Sequence, residues 1–570
     1  MNYLGISGIP GLQDRFNENN KITDYRDSRI VQGLDSAAAL IVNKEIIFAS
    51  AQERFSGNKG TGEFPMHAIY SALNYGNINI DDITKLGWSF NYSNTPASLL
   101  GHYASFYQVD NIRRHLHRLI PGSEKIEIVP IQHHYAHALS ATAVSGFERS
   151  LVVVADGMGE LTSISLYQYQ NHELTKIYAY PISKSIGIFY SIITRFLGFC
   201  FNQDEYKVMG MAAYGSETYL DKFKKLISFK DGNLTTNLKF NTLEDPLYHH
   251  LFNELEEFFA IKRPTSSEQL NSNHYSLAAS LQSAVTSVML ELVRYWVKKT
   301  NNLYLCGAGG VFLNCLMNQR IAEEIKPTGF FIQPAAGDDG AALGAALAVA
   351  GKENRPVSDK KFIPYLGKSW NRAEIENTLQ NTSLNFKWLG QTDAIERAAT
   401  VLNEGHVIAW FNGKSEYGPR ALGNRSILAN PGWPNIKNLI NQKIKFRELF
   451  RPFAPAVLEE DATKYFYFEK TELCYYMLQI ATVIPHKAVE ISGIVHADGT
   501  ARIQLVTASI NAVFHQLIST FKSKSNLPCL LNTSFNTSGQ PLINDPQTAI
   551  ETFNRTELDY LFIEGFVVWK

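Results

Sequence analysis

The sequence predicts an α/β protein of two domains, and three observations predict it. Its 570 residues exceed what one hydrophobic core grows around. Short apolar runs rich in β-branched residues end in Gly or Asp, as strands entering tight turns do. Between them lie segments with apolar residues at helical spacing, so strand, glycine turn and helix recur along the chain.

Taken in order, YLGIS (3–7), AAALIV (37–42), EIIFAS (45–50) and SLVVVAD (150–156) read as buried strands. PMHAIYSALNYG and HHYAHALSATAVSG read as helices, the second closing at a Gly suited to a C-cap. YSLAASLQSAVTSVMLELVRYWVKKT (275–300) is a long amphipathic helix. LYLCGAGG (303–310) is a strand running into glycines, and GAALGAALAVAG (340–351) is a small-residue helix. The polar, lysine-rich stretch 351–371 with two prolines reads as a linker. Beyond it a helix (394–405) and a strand (406–413) open a second domain, and no clear repeat relates the two halves. The expected domains are 1–355 and 363–570.

Composition narrows the function. Formal net charge is -1, with 53 basic against 54 acidic residues, so neither nucleic acid nor a membrane surface is the expected partner. The five cysteines, Cys200, Cys306, Cys315, Cys474 and Cys529, are far apart and lack CxxC spacing, which fits reduced thiols in a cytoplasmic protein. The N-terminus lacks a signal-peptide pattern, and no uncharged stretch is long enough to span a bilayer.

Three histidines stand close together in IQHHYAHALSA (131–141). On a helix His133 and His137 share a face, whereas His134 points about a quarter-turn away. Two donors do not complete a transition-metal site, so partners must come from elsewhere. Asp156 in VVVADGMGE and Asp338 with Asp339 in QPAAGDDGAALG stand at post-strand turns, where carboxylates can complete two nitrogens and two oxygens for iron, manganese or zinc. From spacing alone two readings stay open, this metal site or helix caps with packed histidines. The glycine turn LCGAGGVFLN (305–314) suits close backbone approach to a phosphate, although packing is the more ordinary account of a lone glycine turn.

The second domain concentrates cations in apolar surroundings. GKSEYGPRALGNRSI (413–427) supplies Arg420 and Arg425, and NQKIKFRELFRPFAPAVL (441–458) supplies Lys443, Lys445, Arg447 and Arg451. HADGTARIQLV (496–506) places Arg502 in a strand-like alternation, and LLNTSFNTSGQP (530–541) strings together Asn532, Thr533, Ser534 and Asn536. Alone, each arginine reads as a surface ion pair. Together they read as a pocket for a multiply charged phosphate, since Arg binds phosphate oxygens bidentately.

These motifs resemble the carbamoyltransferase family that includes antibiotic-tailoring and nodulation-factor O-carbamoyltransferases, over nearly the whole length. They are HHYAHA, VADGMGE, EYKVMGMAAYG, GGVFLN, QPAAGDDGAALGAAL, EYGPRALGNRSI, KIKFRELFRPFAP, HADGTARIQ and LLNTSFN. The resemblance implies an N-terminal actin-like (ASKHA) domain similar to the universal tRNA threonylcarbamoyl transferase. It implies a C-terminal α/β domain similar to the threonylcarbamoyl-adenylate synthase (YrdC-like) fold. It further implies that carbamoyl phosphate and ATP give carbamoyl adenylate in the C-terminal domain, and that a small-molecule hydroxyl of a secondary metabolite or sugar takes the carbamoyl group in the N-terminal domain.

Carried over position by position, His133, His137, Asp156 and Asp338 match the metal site, with Fe2+ the leading ion and Mg2+, Mn2+ or Zn2+ the alternatives. His134 stays with packing or ligand support. Lys445, Arg451, Arg420, Asn532 and Ser534 are the expected catalytic set. Arg425, Arg447, Lys443, Arg502, Gly309, Gly310, Asn314, Glu205 and Lys207 are expected to bind cofactor, with Gly210 and Tyr214 in the same motif as Glu205. A homodimer is allowed. The alternatives are an N-carbamoyltransferase and a non-catalytic nucleotide-binding protein.

The chain also departs from the family pattern. Leu34 stands in place of a His before Asp35, Gln52 replaces a Glu, Gly60-Thr61 replace His-Asp, and residues 10–33 are an insertion. These departures fall on the acceptor side.

Overall fold

The computed structural model describes residues 1–238, 245–266, 269–356 and 361–570. The chain divides into two compact units, the first Met1–Glu53 with Gly60–Lys360 and the second Arg54–Lys59 with Lys361–Lys570. Of the expected linker 351–371, residues 357–360 lie outside the described residues.

The first unit is built on two five-stranded sheets. In the first, strands β1 (Asn2–Ser7), β2 (Ala37–Val42) and β3 (Glu45–Ala51) form an antiparallel meander, and β4 (Ile83–Trp88) and β5 (Ile128–Pro130) add parallel to β1, giving the order β3-β2-β1-β4-β5. In the second, β6 (Arg149–Ala155), β7 (Thr162–Gln170) and β8 (Glu173–Pro181) repeat the meander, and β9 (Tyr304–Ala308) and β10 (Gly329–Ile332) repeat the parallel additions, in the order β10-β9-β6-β7-β8. The two sheets therefore share one topology inside the first unit. Sequence periodicity does not show this duplication, because only strand order and direction are repeated.

In each copy a helix follows the fifth strand, α1 (His133–Thr142) after β5 and α2 (Asp338–Ala350) after β10. Both are buried almost all round, so both carry small residues. They cross where Gly344 meets Ala136, and a Cβ on Gly344 would collide with the Ala136 carbonyl. Helix α1 stops at Thr142 with Ala143 as its cap, before the Gly146 expected to end it, because the Ala143 amide closes onto the Leu139 carbonyl. The long helix Ser272–Thr300 is long and apolar enough to cross a membrane, yet 78% of its most apolar stretch is buried within the protein.

The inserted residues 10–33 are ordered in the first unit. Leu12–Asn19 forms a helix burying Leu12 and Phe16, and a short turn, Tyr25–Asp27, follows. All five cysteines are free and buried.

The second unit holds an eight-stranded mixed sheet. Its strands are β11 (Asn385–Trp388), β12 (Ile408–Phe411), β13 (Arg425–Ala429), β14 (Ala454–Leu458), β15 (Gln504–Val506), β16 (Cys529–Ser534), β17 (Tyr560–Ile563) and β18 (Phe566–Trp569), ordered β11-β18-β17-β12-β13-β16-β14-β15. Helices Gln391–Asn403 and Ala508–Ser525 pack on it over a core that includes Ile395, Leu402, Trp410, Phe514 and Leu530.

Candidate metal centre and phosphate-site residues

Four donor atoms converge in the first unit. His133 and His137 come from α1, Asp156 follows β6, and Asp338 opens α2, so both copies of the duplicated topology contribute. His133 Nε2 lies 3.3 Å from Asp156 Oδ2 and 3.3 Å from Asp338 Oδ1. His137 Nε2 lies 3.9 and 3.6 Å from the same two oxygens and 3.1 Å from His133 Nε2. Donors about 2.1 Å from a common ion at tetrahedral angles stand about 3.4 Å apart, and these four lie within 4.8 Å of one another, so the set could hold a metal ion.

Neighbouring groups fix these four side chains. The His133 Nδ1–H donates to the Ser89 carbonyl at 3.0 Å, which aims Nε2 at the cluster, and the ring stacks on Phe90 at 4.4 Å. Asp156 Oδ1 accepts the Gly310 amide at 3.3 Å. Glu160 Oε1 accepts the backbone amides of His133 (2.8 Å) and Asn91 (2.9 Å), tying the start of α1 to the chain after β4. His137 Nδ1 is buried with no hydrogen-bond partner among the described residues.

The electrostatics match a cation site. Burial opposes a charge on His133, but the Asp338 and Asp156 carboxylates outweigh it and hold its pKa well above the usual value. Asp156 and Asp338 are lowered against their own burial, Asp156 by the His133 hydrogen bond and the neighbouring imidazoles, Asp338 chiefly by the His133 charge. His134 is different. Burial drives its pKa well below normal, and its Nδ1 lies 2.8 Å from the Ser165 hydroxyl, away from the four donors.

The glycine turn after β9 serves this centre. Gly309 has φ 92°, and a Cβ there would collide with the Ala155 carbonyl one residue before Asp156. Gly310 donates to Asp156, so both glycines shape the surroundings of Asp156. Asn314 caps the helix Cys315–Ile325 through Met317 N and pairs with the Gln282 amide in both directions. Glu205 accepts from the Ser191 hydroxyl (2.6 Å) and the Asn202 amide (2.8 Å), and burial raises its pKa to about 7. Lys207 pairs with Asp204 at 3.1 Å.

In the second unit the expected residues separate into groups. Lys445 is buried, and its ammonium donates among the Ser534 carbonyl (2.7 Å) and hydroxyl (3.1 Å) and the Asn536 carbonyl (2.8 Å) and side-chain oxygen (2.6 Å). Burial pushes its pKa well down, and the charges of Arg447, Arg451 and Lys59 add to the effect, so four cations share one region. Arg447 bonds Asn441 Oδ1 at 2.7 Å, and Arg451 lies 3.5 Å from Glu448. Asn532 is bonded to Gln504 and the Ala421 carbonyl, while its own oxygen is buried without a partner among the described residues. Arg420 is half-buried in the 412–424 loop, and Arg502 ends the strand Thr500–Arg502 beside His496. Lys443 stands apart in an exposed pair with Glu557.

Arg425, expected to bind phosphate, sits inside the fold. It is fully buried, and its Nη atoms donate to the carbonyls of Asn412, Asn424, Lys368 and Gly413 at 2.9–3.2 Å. Its guanidinium stacks on Phe411 at 3.5 Å, so four carbonyls and an aromatic face hold it inside the fold. Glu416, absent from the sequence expectations, organises the same loop: one oxygen accepts the Leu422, Asn424 and Arg425 amides. Ser89, Phe90 and Glu160 were also absent, because a carbonyl, a stacked ring and a backbone cap leave no motif.

Residues 100–347 match the carbamoyltransferase N-terminus family, and residues 399–570 match the carbamoyltransferase C-terminus family. The chain belongs to the carbamoyltransferase family. This family member is 33% identical to the uncharacterised protein sll1178 of Synechocystis, over 94% of this chain and 95% of that one. It is 37% identical to nodulation protein NolO of Bradyrhizobium diazoefficiens over 77% and 79%. It is 32% identical to the 3'-hydroxymethylcephem-O-carbamoyltransferase of Amycolatopsis lactamdurans over 47% and 48%. The expectation of an O-carbamoyltransferase enzyme stands on that membership. The carbamoyltransferase chain thus carries, in its N-terminal family region, a His/Asp cluster that can hold a metal ion.

Proposed function

We propose that this carbamoyltransferase works in two steps, the first consuming ATP, divided between its domains, 363–570 and 1–355. In the C-terminal domain carbamoyl phosphate is hydrolysed to carbamate and phosphate, and carbamate then attacks the α-phosphorus of ATP to give carbamoyl adenylate and pyrophosphate. In the N-terminal domain a hydroxyl of a small-molecule secondary metabolite or sugar attacks the carbamoyl carbon, its proton leaves, and AMP departs.

The observation that carries this reading is the four-donor cluster in a chain of this family. A bound divalent ion would supply Lewis acidity against the charge that develops on the carbamoyl oxygen and the departing phosphate. His133, His137, Asp156 and Asp338 would hold it, with Fe2+ the leading candidate. The duplicated β3-β2-β1-β4-β5 topology supports the actin-like assignment of this domain.

For the first step, Arg447, Arg451 and Lys59 around Lys445 supply the charge that a triphosphate and carbamoyl phosphate require. The buried Asn532 oxygen supports a polar pocket there. Lys445 acts by holding the segment Ser534–Asn536, and Arg425 by building the 412–424 loop. The eight-stranded mixed sheet supports the YrdC-like assignment.

The deciding experiment is pyrophosphate release from ATP and carbamoyl phosphate, with divalent metal and no acceptor. Release dependent on carbamoyl phosphate supports the activating step, and a hydroxylated metabolite should then gain the carbamoyl mass. Absence of release with and without acceptor overturns the scheme.

A further inference from the structure

The inserted segment 10–33 has no counterpart in the family pattern, yet it is tied into the first unit along its length. Arg195 bonds Asp27 (2.6 Å) and Asp24 (3.0 Å), and Arg26 donates to the Gly198 carbonyl (3.1 Å). Arg29 is 5% exposed and donates to the carbonyls of Gly60 (2.6 Å) and Asn202 (3.2 Å), with Asp35 3.6 Å from its guanidinium. A side chain at position 60 would collide with that guanidinium, and Gly60 has φ 61°, so the departure at 60 and the inserted arginine fit together.

The last anchor reaches the metal centre. Gln32 is buried, and its amide donates to the carbonyls of Met158 (2.6 Å) and Gly159 (3.1 Å), in the turn between Asp156 and Glu160. Its oxygen accepts the Tyr92 hydroxyl. Tyr92 stacks with Phe90, and Phe90 stacks on His133. One side chain therefore holds both the turn after ligand Asp156 and the aromatic stack against ligand His133.

We infer that residues 10–33 brace the His133, His137, Asp156 and Asp338 centre, and that Gln32 is its positioning residue. Gln32 touches no ligand atom. It acts by keeping the Met158–Gly159 turn and Tyr92 in place, which sets where Asp156 and the His133 ring stand.

The inference rests on the metal-binding reading above, and its test needs no acceptor. The full chain, freed of metal, is titrated with Co2+ alone and followed by visible d–d absorption, which reports coordination geometry. Gln32→Leu keeps size and removes all three hydrogen bonds; its Co2+ affinity should fall about tenfold with an altered band. Tyr92→Phe removes one bond and should shift the band in the same direction by less, and it decides the matter if Gln32→Leu does not fold. Variants with the wild-type affinity and band would overturn the brace alone. Wild-type protein that binds Co2+ no better than His137→Ala would overturn the metal reading, and the brace with it.

Discussion

The Nε2 atoms of His133 and His137 face each other 3.1 Å apart. Because His133 Nδ1 donates to the Ser89 carbonyl, the His133 nitrogen in the cluster carries either a second proton or a lone pair. Two opposed lone pairs flanked by Asp156 and Asp338 require a positive charge between them, and a proton or a metal ion can supply it.

That choice makes metal binding and protonation compete. His133 is raised above its unfolded value in the ion-free protein, so it adds stability that is full below about pH 6.5 and is lost as pH rises through the raised pKa. The melting temperature of ion-free protein should therefore fall across that rise, and saturating Co2+ or Zn2+ should flatten the fall. Calorimetry in buffers of different ionisation enthalpy should show proton release on binding.

The two half-reactions should separate by mutation. Arg451→Ala removes a cation beside Lys445 and should abolish pyrophosphate release, whereas His137→Ala should spare release and lose carbamoyl transfer. Loss of pyrophosphate release in a folded His137→Ala protein would refute the division of labour.

Lys445 and Arg425 should matter to stability as well as turnover. Lys445→Met takes a buried cation away from four oxygens and Arg425→Met takes one away from four carbonyls, of which those of Asn424 and Lys368 keep a backbone donor; each substitution is expected to cost about 3 kcal/mol in urea denaturation. Lys443→Met, which loses only an exposed pair with Glu557, should cost under about 0.5 kcal/mol.

Glu205 sets a second pH dependence of defined sign. Burial raises its pKa from 4.5 to about 7, so ionising it costs more in the folded state than in the unfolded one. Stability should decline as pH rises from about 4.5 to 7, and Glu205→Gln should remove that part of the slope in melts collected across the range.

Much of the secondary structure was legible because its cause is local. The runs at 3–7, 37–42 and 45–50 became β1, β2 and β3, since a short continuous apolar run is a signal that acts within a few residues. The small residues of 340–351 also carried a readable signal, although their reason, the crossing of α1 and α2 at Gly344 and Ala136, is not local. The end of α1 was misplaced by the pull of Gly146, because a backbone hydrogen bond closes a helix without any marker residue.

By itself the sequence determined the donor residues and the family motifs: helical spacing puts His133 and His137 on one face, and post-strand turns carry Asp156 and Asp338. Tertiary structure alone decided that Gly309 and Gly310 serve Asp156, that Arg425 is held by four carbonyls, and that Gln32 reaches the Met158–Gly159 turn after Asp156. The physical reason is range. Side-chain spacing and turn chemistry act over a few residues, whereas a hydrogen bond to a carbonyl far along the chain depends on a backbone group that every residue carries, and so leaves no mark in the sequence.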